Sequence, residues 1–164
     1  MNKKIRNPLI YSLIILLGIG LDQLTKLLAV KFLAPIATKP IIKEVLHLTY
    51  VENRGAAFGM LADKRWLFIS VSSVIIVALL VYLFVGKMNM LYGISVSMII
   101  SGGIGNMIDR LSLGYVVDFI DFTLIDFAVF NLADSLVCVG AGLMVLALVL
   151  EILKESKKKR NDTK

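Results

Sequence analysis

The chain has 164 residues, of which 58% are hydrophobic, and its mean hydropathy is +0.84. A soluble domain of this length cannot bury so much apolar surface, so the composition excludes a soluble globular protein and indicates one membrane-embedded domain, residues 1–164. The formal net charge of +6 does not indicate nucleic acid binding, because the basic residues cluster at the two ends of the chain, as in cytoplasmic tails of membrane proteins.

Four apolar segments are predicted to cross the membrane, at about residues 9–30, 66–85, 91–108 and 129–153. Each is close to the roughly 20 residues that span about 30 Å of hydrocarbon. The first could be a secretory signal peptide, but its apolar run is long and no Ala-x-Ala site follows it, which favours a retained helix. Four spans place both termini on one side. Ten of the 18 Lys and Arg residues lie there with three acids, which assigns that side to the cytoplasm.

Residues 31–65 form an outer loop, since two prolines and nine charged residues must lie outside the hydrocarbon. Within it, residues 46–51 have partial alternation and β-branched or aromatic content, which predicts a strand. The strand ends at a turn-like cluster, residues 52–55. Residues 56–61 are small and apolar, which is typical of a flap against membrane or a greasy ligand, or of a short segment packed on the helix ends.

Acidic residues are concentrated between the third and fourth spans and at the start of the fourth. They are Asp109, Asp118, Asp121, Asp126 and Asp134. A carboxylate at bilayer depth costs roughly 2.5–3.5 kcal/mol on insertion scales, so such groups are functional candidates. We expect Asp118 in the loop after the third helix and Asp134 at the start of the fourth. If this loop folds back, the two carboxyls can share a proton, one acting as base on a water and the other polarising a carbonyl, as in an aspartic protease.

Each polar pair also has a plainer structural explanation. These explanations are a helix N-cap for Asn131 with Asp134, an interfacial ion pair for Asp109 with Arg110, and an i,i+4 pair for Asp22 with Lys26. Taken together, there are more acids at one membrane boundary than helix capping and ion pairing require, which favours a functional site. The small residues Ser97, Ser101 and Gly105 predict a ridge for close helix packing.

The single cysteine, Cys138, excludes an intramolecular disulfide. The single histidine, His47, leaves no His/Cys cluster for a zinc site of the usual type. We therefore expect no zinc site of that type, and we expect no cofactor.

Five ordered motifs resemble those of the bacterial lipoprotein signal peptidase family, also called signal peptidase II. They are Asp-Gln-Leu-Thr-Lys at 22–26, Asn-Arg-Gly-Ala-Ala-Phe at 53–58, Gly-Gly-Ile-Gly-Asn-Met-Ile-Asp-Arg at 102–110, Val-Val-Asp-Phe-Ile at 116–120 and Phe-Asn-Leu-Ala-Asp at 130–134. Each motif alone is weak. Their order, on a chain of this length with four spans, makes the resemblance specific.

The resemblance implies a membrane aspartic endopeptidase that removes signal peptides from prolipoproteins, cutting before a diacylglyceryl-modified cysteine. It assigns catalysis to Asp118 and Asp134. Eight further positions match residues that bind substrate or support the pair: Asp22, Lys26, Asn53, Gly55, Asn106, Asp109, Arg110 and Asn131. It also implies no metal and inhibition by globomycin. We expect Phe58 and its neighbours to close over the substrate as a lid.

The expected fold is therefore an all-α integral membrane protein with four transmembrane helices, cytoplasmic termini and, from the resemblance, a small extracytoplasmic β-cradle. We expect a monomer in the bacterial cell membrane, with its active site at the outer face and with prolipoproteins and membrane lipids as partners. The main alternative is a small proton-coupled transporter or channel subunit, which predicts acids near the midplane and discontinuous helices. A structural assembly protein would not need the cost of buried acids.

Overall fold

The computed structural model describes residues 7–55, 64–86 and 88–162. Within them, four helices are long and apolar enough to cross a membrane. They are α1 (Pro8–Phe32), α2 (Arg65–Val85), α3 (Met90–Ser112) and α4 (Leu132–Asp162). The four predicted segments are thereby confirmed. The predicted lid residue Phe58 lies outside the described residues.

The helix ends differ from the predicted spans because hydropathy reports only the apolar part of a helix. Helix α3 continues four residues beyond residue 108 and carries Asp109 and Arg110 in its last turns. Helix α4 begins at Leu132, three residues later than predicted, and continues through the lysine-rich segment to Asp162. Charged residues end a hydrophobic run without ending a helix.

A three-stranded antiparallel sheet covers one end of the helices. Its strands are β1 (Thr38–Ile42), β2 (Leu46–Asn53) and β3 (Val116–Asp121), in the order β1-β2-β3. The predicted strand at 46–51 is confirmed as part of β2. The expectation that Asp118 lies in a loop is wrong: it lies on β3, opposite Val51 of β2. The pairing partner is too distant in sequence for a local pattern to reveal it.

Helix α3 is the centre of the bundle and packs against the three other helices. One apolar cluster joins α1, α2 and α3 through Tyr11, Ile76 and Ile100. A second cluster seats the sheet on the end of α1, where Ala29 and Leu33 contact Val117, with Leu48 and Phe119 packed against them. The packing of the sheet on α1 thus positions β3 above the helix ends.

Small residues let α3 approach its neighbours, as the predicted ridge requires. Ser97 and Ser101 are fully buried. A methyl group at Gly102 would overlap the carbonyl oxygen of Ala133 on α4 and lie 2.8 Å from a methyl of Val137. Because one obstacle is backbone, it can move only if the whole helix moves.

We predict that Gly102→Ala lowers the free energy of unfolding by about 1–3 kcal/mol, the usual cost of overpacking a tight contact. Thermal unfolding in detergent measures it. Gly142→Ala is the matched control on α4, since a methyl group there meets no atom within 4 Å. Equal stability of the two variants would show that the α3–α4 contact is not this tight.

Candidate active site

A buried ion triad lies where α1 meets α3. The Lys26 ammonium is 3.0 Å from Asp22 Oδ2 and 3.0 Å from Asp109 Oδ2, and all three side chains are at most 3% exposed. The predicted Asp22–Lys26 pair is confirmed. The predicted Asp109–Arg110 pair is wrong, because Asp109 pairs with Lys26. Consecutive helix residues point about 100° apart, so Asp109 faces α1 while Arg110 does not.

The two carboxylates of the triad also accept backbone hydrogen bonds from the next elements. Asp22 Oδ1 accepts from the Ala133 N–H at 2.9 Å, and Asp109 Oδ2 accepts from the Val117 N–H at 3.0 Å. Ala133 directly precedes Asp134, and Val117 directly precedes Asp118. The triad therefore holds the backbone at both predicted catalytic acids.

Gln23 strengthens the same junction. Its Nε2 donates to Asp109 Oδ1 at 3.0 Å, to the Gly105 carbonyl at 3.2 Å and to Asp22 Oδ2 at 3.2 Å. Sequence reasoning gave Gln23 no role, although it stands inside the 22–26 motif. Its position next to Asp22 is the feature of the sequence that could have indicated a role at this junction.

Asp118 is buried on β3, with a side chain only 1% exposed. Asn53 Nδ2 donates to its Oδ2 at 2.9 Å, and Asn131 Nδ2 donates to its Oδ1 at 2.6 Å. Burial raises the pKa of Asp118 from 3.8 to about 6, and the nearby charge of Asp134 also raises it, against the lowering effect of the Asn53 and Asn131 hydrogen bonds. Asp118 therefore holds a proton more readily than an ordinary aspartate.

Asp134 is held by a reciprocal cap at the start of α4. Asn131 Oδ1 accepts from the Asp134 N–H at 3.0 Å, and Asp134 Oδ2 accepts from the Asn131 N–H at 3.1 Å. This is a capping box with Asp in place of Glu, and it confirms the predicted N-cap. Asn106 Nδ2 donates to the other oxygen, Oδ1, at 2.8 Å.

Two asparagines connect the triad to both acids. Asn106 Oδ1 accepts from Lys26 Nζ at 2.9 Å and from Asn131 Nδ2 at 3.0 Å. Since Asn106 also donates to Asp134 and Asn131 donates to Asp118, one hydrogen-bonded chain runs from Lys26 to the two carboxyls. Capping and site support are thus performed by the same residue, Asn131.

Both acids open onto one cavity of about 600 Å³. Its polar wall also contains Asn53, Asn106 and Arg110. The remainder is mostly apolar and comes from β3, the 127–130 segment and α4: Val116, Phe127, Ala128, Val129, Phe130, Ser135, Cys138 and Val139. A polar wall facing an apolar wall suits a ligand that has both peptide and hydrocarbon parts.

Arg110 and Gly55 lie where the segment after β2 meets the cavity. Arg110 Nη2 donates to the Gly55 carbonyl at 3.3 Å, and its guanidinium lies 4.9 Å from the Phe68 ring centroid. The Gly55 N–H donates to Asn53 Oδ1 at 2.9 Å, which orients the amide that faces Asp118. The structure thus brings together all the sequence-predicted site residues that it describes.

The two extra acids lie apart from this network. Asp121 ends β3, and its carboxylate accepts from Thr49 Oγ1 at 2.7 Å. Asp126 is exposed after the 3₁₀ turn Thr123–Ile125, in a left-handed conformation. Among the described residues, no group of three or more His, Cys, Asp or Glu side chains is arranged to hold a metal ion.

Comparison with known proteins gives consistent matches over most of the chain. The family model for signal peptidase (SPase) II matches residues 14–150. A lipoprotein signal peptidase of Caldanaerobacter subterraneus subsp. tengcongensis is 50% identical over 131 residues, covering 80% of this chain and 90% of the relative. One of Clostridioides difficile is 47% identical, covering 91% and 99%. A solved bacterial membrane enzyme superposes with a TM-score of 0.76 at 32% identity, covering 87% of this chain and 88% of that one.

The triad generates a stability prediction. Lys26→Met should lower the free energy of unfolding by about 3–5 kcal/mol, because it leaves two buried carboxylates without their cation. The triple variant Asp22→Asn, Lys26→Met, Asp109→Asn removes all three charges and should recover much of this loss. Chemical unfolding in detergent compares the two. A triple variant no more stable than Lys26→Met would contradict the electrostatic explanation.

Proposed function

This chain belongs to the signal peptidase II family, and on that basis we propose that Asp118 and Asp134 form its catalytic dyad. It is a membrane aspartic endopeptidase that removes signal peptides from prolipoproteins. The observation that carries the dyad assignment is the shared hydrogen-bond network, in which Asn106 and Asn131 connect the two carboxyls. Asp118 and Asp134 also line the same cavity.

The two acids take different roles in the proposed reaction. The Asp134 carboxylate removes a proton from a water, which attacks the scissile carbonyl carbon. Protonated Asp118 donates a hydrogen bond to the carbonyl oxygen and stabilises the charge that develops there. A proton is then passed to the leaving amine as the C–N bond breaks. The raised pKa of Asp118 supports this division, because burial favours its neutral form.

The other polar residues bind substrate or keep the acids in place. Asn53 and Asn131 orient Asp118, while Asn106 orients Asp134. Asp22, Lys26 and Asp109 support the backbone beneath them. Arg110 and Gly55 lie at the cavity edge, where a substrate backbone can bind. Preorganisation of this kind reduces the reorganisation needed at the moment of reaction.

The substrate is a prolipoprotein whose cysteine already carries diacylglycerol, and cleavage occurs just before that cysteine. The apolar wall of the cavity, formed partly by Phe130 and Val139, gives the lipid a place beside the dyad. Anchoring the cysteine in the bilayer holds the scissile bond at one depth, so much of the rate enhancement comes from proximity.

The enzyme works as a single domain, residues 1–164, and as a monomer in the bacterial cell membrane. Its termini are cytoplasmic and its sheet, with the cavity, is at the outer face. Two features support this orientation. The basic end of α4 lies at the opposite end of the bundle from the sheet, as the positive-inside rule requires, and Trp66, 68% exposed at the start of α2, suits an aromatic belt. The transporter alternative is not supported, because the relatives over most of the chain are named lipoprotein signal peptidases and the two proposed catalytic acids lie on β3 and in the first turn of α4.

We predict that Asp118→Asn and Asp134→Asn each reduce cleavage of a diacylglyceryl-modified prolipoprotein by about 10²–10⁴-fold, the usual contribution of a general acid or base. Product analysis by mass spectrometry identifies the cleaved bond. Asp121→Asn and Asp126→Asn are matched controls, because both acids lie outside the network. Parental activity in either dyad variant would place the catalytic acid elsewhere.

The pH profile tests which acid holds the proton. If Asp118 must be protonated, kcat/KM falls as pH rises through its pKa, about 6 in the free enzyme. Asn53→Ala removes a hydrogen bond that stabilises the carboxylate form, so it should raise this pKa and move the falling limb to higher pH.

The control for the pH profile is Thr49→Ala, on the same strand but bonded to Asp121, which should leave the limb in place. A limb that does not move in Asn53→Ala, or moves to lower pH, would reject Asp118 as the proton carrier.

A further inference from the structure

A second cavity, of about 630 Å³, lies between α1 and the sheet. Its walls are Leu28 and Phe32 of α1, Ile36 after it, and Leu48 and Phe119 of the sheet, with Lys39 at its edge. We call it the α1–sheet groove. Its volume falls within the roughly 300–1,000 Å³ of ligand sites. It shares no lining residue with the catalytic cavity.

The two cavities lie on opposite faces of the sheet. Phe119 lines the groove and its neighbour on β3, Asp118, lines the catalytic cavity. Successive side chains of a strand point to opposite faces. The groove is therefore a separate site, and none of the proposed catalytic or supporting residues belongs to it.

The apolar walls of the groove are continuous with the membrane-facing side of α1. Leu28 is 45% exposed and Phe32 is 59% exposed on a helix long and apolar enough to span a bilayer. An acyl chain can therefore enter the groove sideways from the hydrocarbon, without crossing a polar region.

The charge at the edge of the groove favours an anionic ligand. Lys39 lies on β1, beyond the end of α1, and pairs in register with Leu48. No carboxylate among the described residues lies within ion-pair distance of Lys39, and the residues that line the groove include no acid. A second cation, Lys31, lies 5.3 Å from the Phe32 ring centroid. The complementary ligand has a hydrocarbon tail and an anionic head at the membrane surface.

We propose that the α1–sheet groove binds one anionic glycerophospholipid, with an acyl chain against Leu28, Phe32 and Phe119 and with its phosphate beside Lys39. The bound lipid fills the space between α1 and the sheet. It thereby stabilises the face of β3 opposite Asp118. This proposal does not depend on the dyad assignment.

Native mass spectrometry of the full chain released from mixed micelles tests the proposal. The micelles contain either phosphatidylglycerol or phosphatidylcholine with the same acyl chains. We expect the parent to retain one phosphatidylglycerol more tightly than phosphatidylcholine. Lys39→Gln should weaken retention of phosphatidylglycerol about fivefold, the usual effect of one cation near an anionic lipid surface. Lys43→Gln is the matched control, since Lys43 follows β1 but does not line the groove and pairs with Glu44.

A second variant tests the acyl part of the site. Ile36→Trp fills the groove from a side chain that is exposed, so the core is not disturbed. It should abolish tight retention of phosphatidylglycerol while leaving the unfolding temperature of the lipid-free protein within a few degrees of the parent.

Two results would overturn the proposal. One is equal retention of the two lipids by the parent. The other is retention of phosphatidylglycerol by Lys39→Gln or Ile36→Trp at the parental level. Because the readout is lipid binding, loss of cleavage activity in any variant does not affect the conclusion, and a failed dyad assignment would leave this test unchanged.

Discussion

The ammonium of Lys26 is the interaction on which the site depends, because it allows two buried carboxylates to exist side by side. Asp22 and Asp109 each pair with it, and each also binds the backbone N–H of the residue before a proposed catalytic acid. Four elements, α1, α3, β3 and α4, therefore meet at one cation. Burying these three charges costs free energy. They hold together the helices and the strand that position the two proposed catalytic acids.

The proposed dyad is supported by groups that also stabilise the fold. Asn131 caps α4, and the same side chain donates to Asp118. Asn53 ends β2, and its amide reaches across to β3. A substitution at such a residue changes both the backbone geometry and the protonation of an acid. Stability and activity measurements are therefore needed together to assign its role, since residues of one network do not act additively.

The sheet gives the protein two different surfaces at one end of the helices. One face carries Asp118 and opens onto a cavity with polar and apolar walls, and the other packs on α1 through Val117 and Phe119. Packing on the apolar face holds β3 against α1. This placement positions Asp118, on the opposite face, at the catalytic cavity. Proteolysis at a membrane surface requires both properties, because a water, two acids and a peptide must meet next to lipid.

Local features were predictable from the sequence. Four helices follow from runs of apolar residues, the Asp22–Lys26 pair follows from its i,i+4 spacing, and the cap of Asn131 with Asp134 follows from its spacing of three. The ordered motifs also indicated the family and the pair Asp118 and Asp134. These signals depend only on helix geometry, on hydropathy and on the order of short motifs.

Only the tertiary structure decided which distant groups meet. Strand β3 exists because it pairs with β2, more than 60 residues earlier, and Asn53 reaches Asp118 only through that pairing. Asp109 binds Lys26 and not its neighbour Arg110, since adjacent helix residues face different directions. The hydrogen bonds to Asp22 and Asp109 come from the backbone N–H groups of Ala133 and Val117. Every residue except proline has such a group, so no residue type in the sequence marks these contacts. Such contacts are set by how helices and sheet pack, and packing is not encoded in any short stretch of sequence.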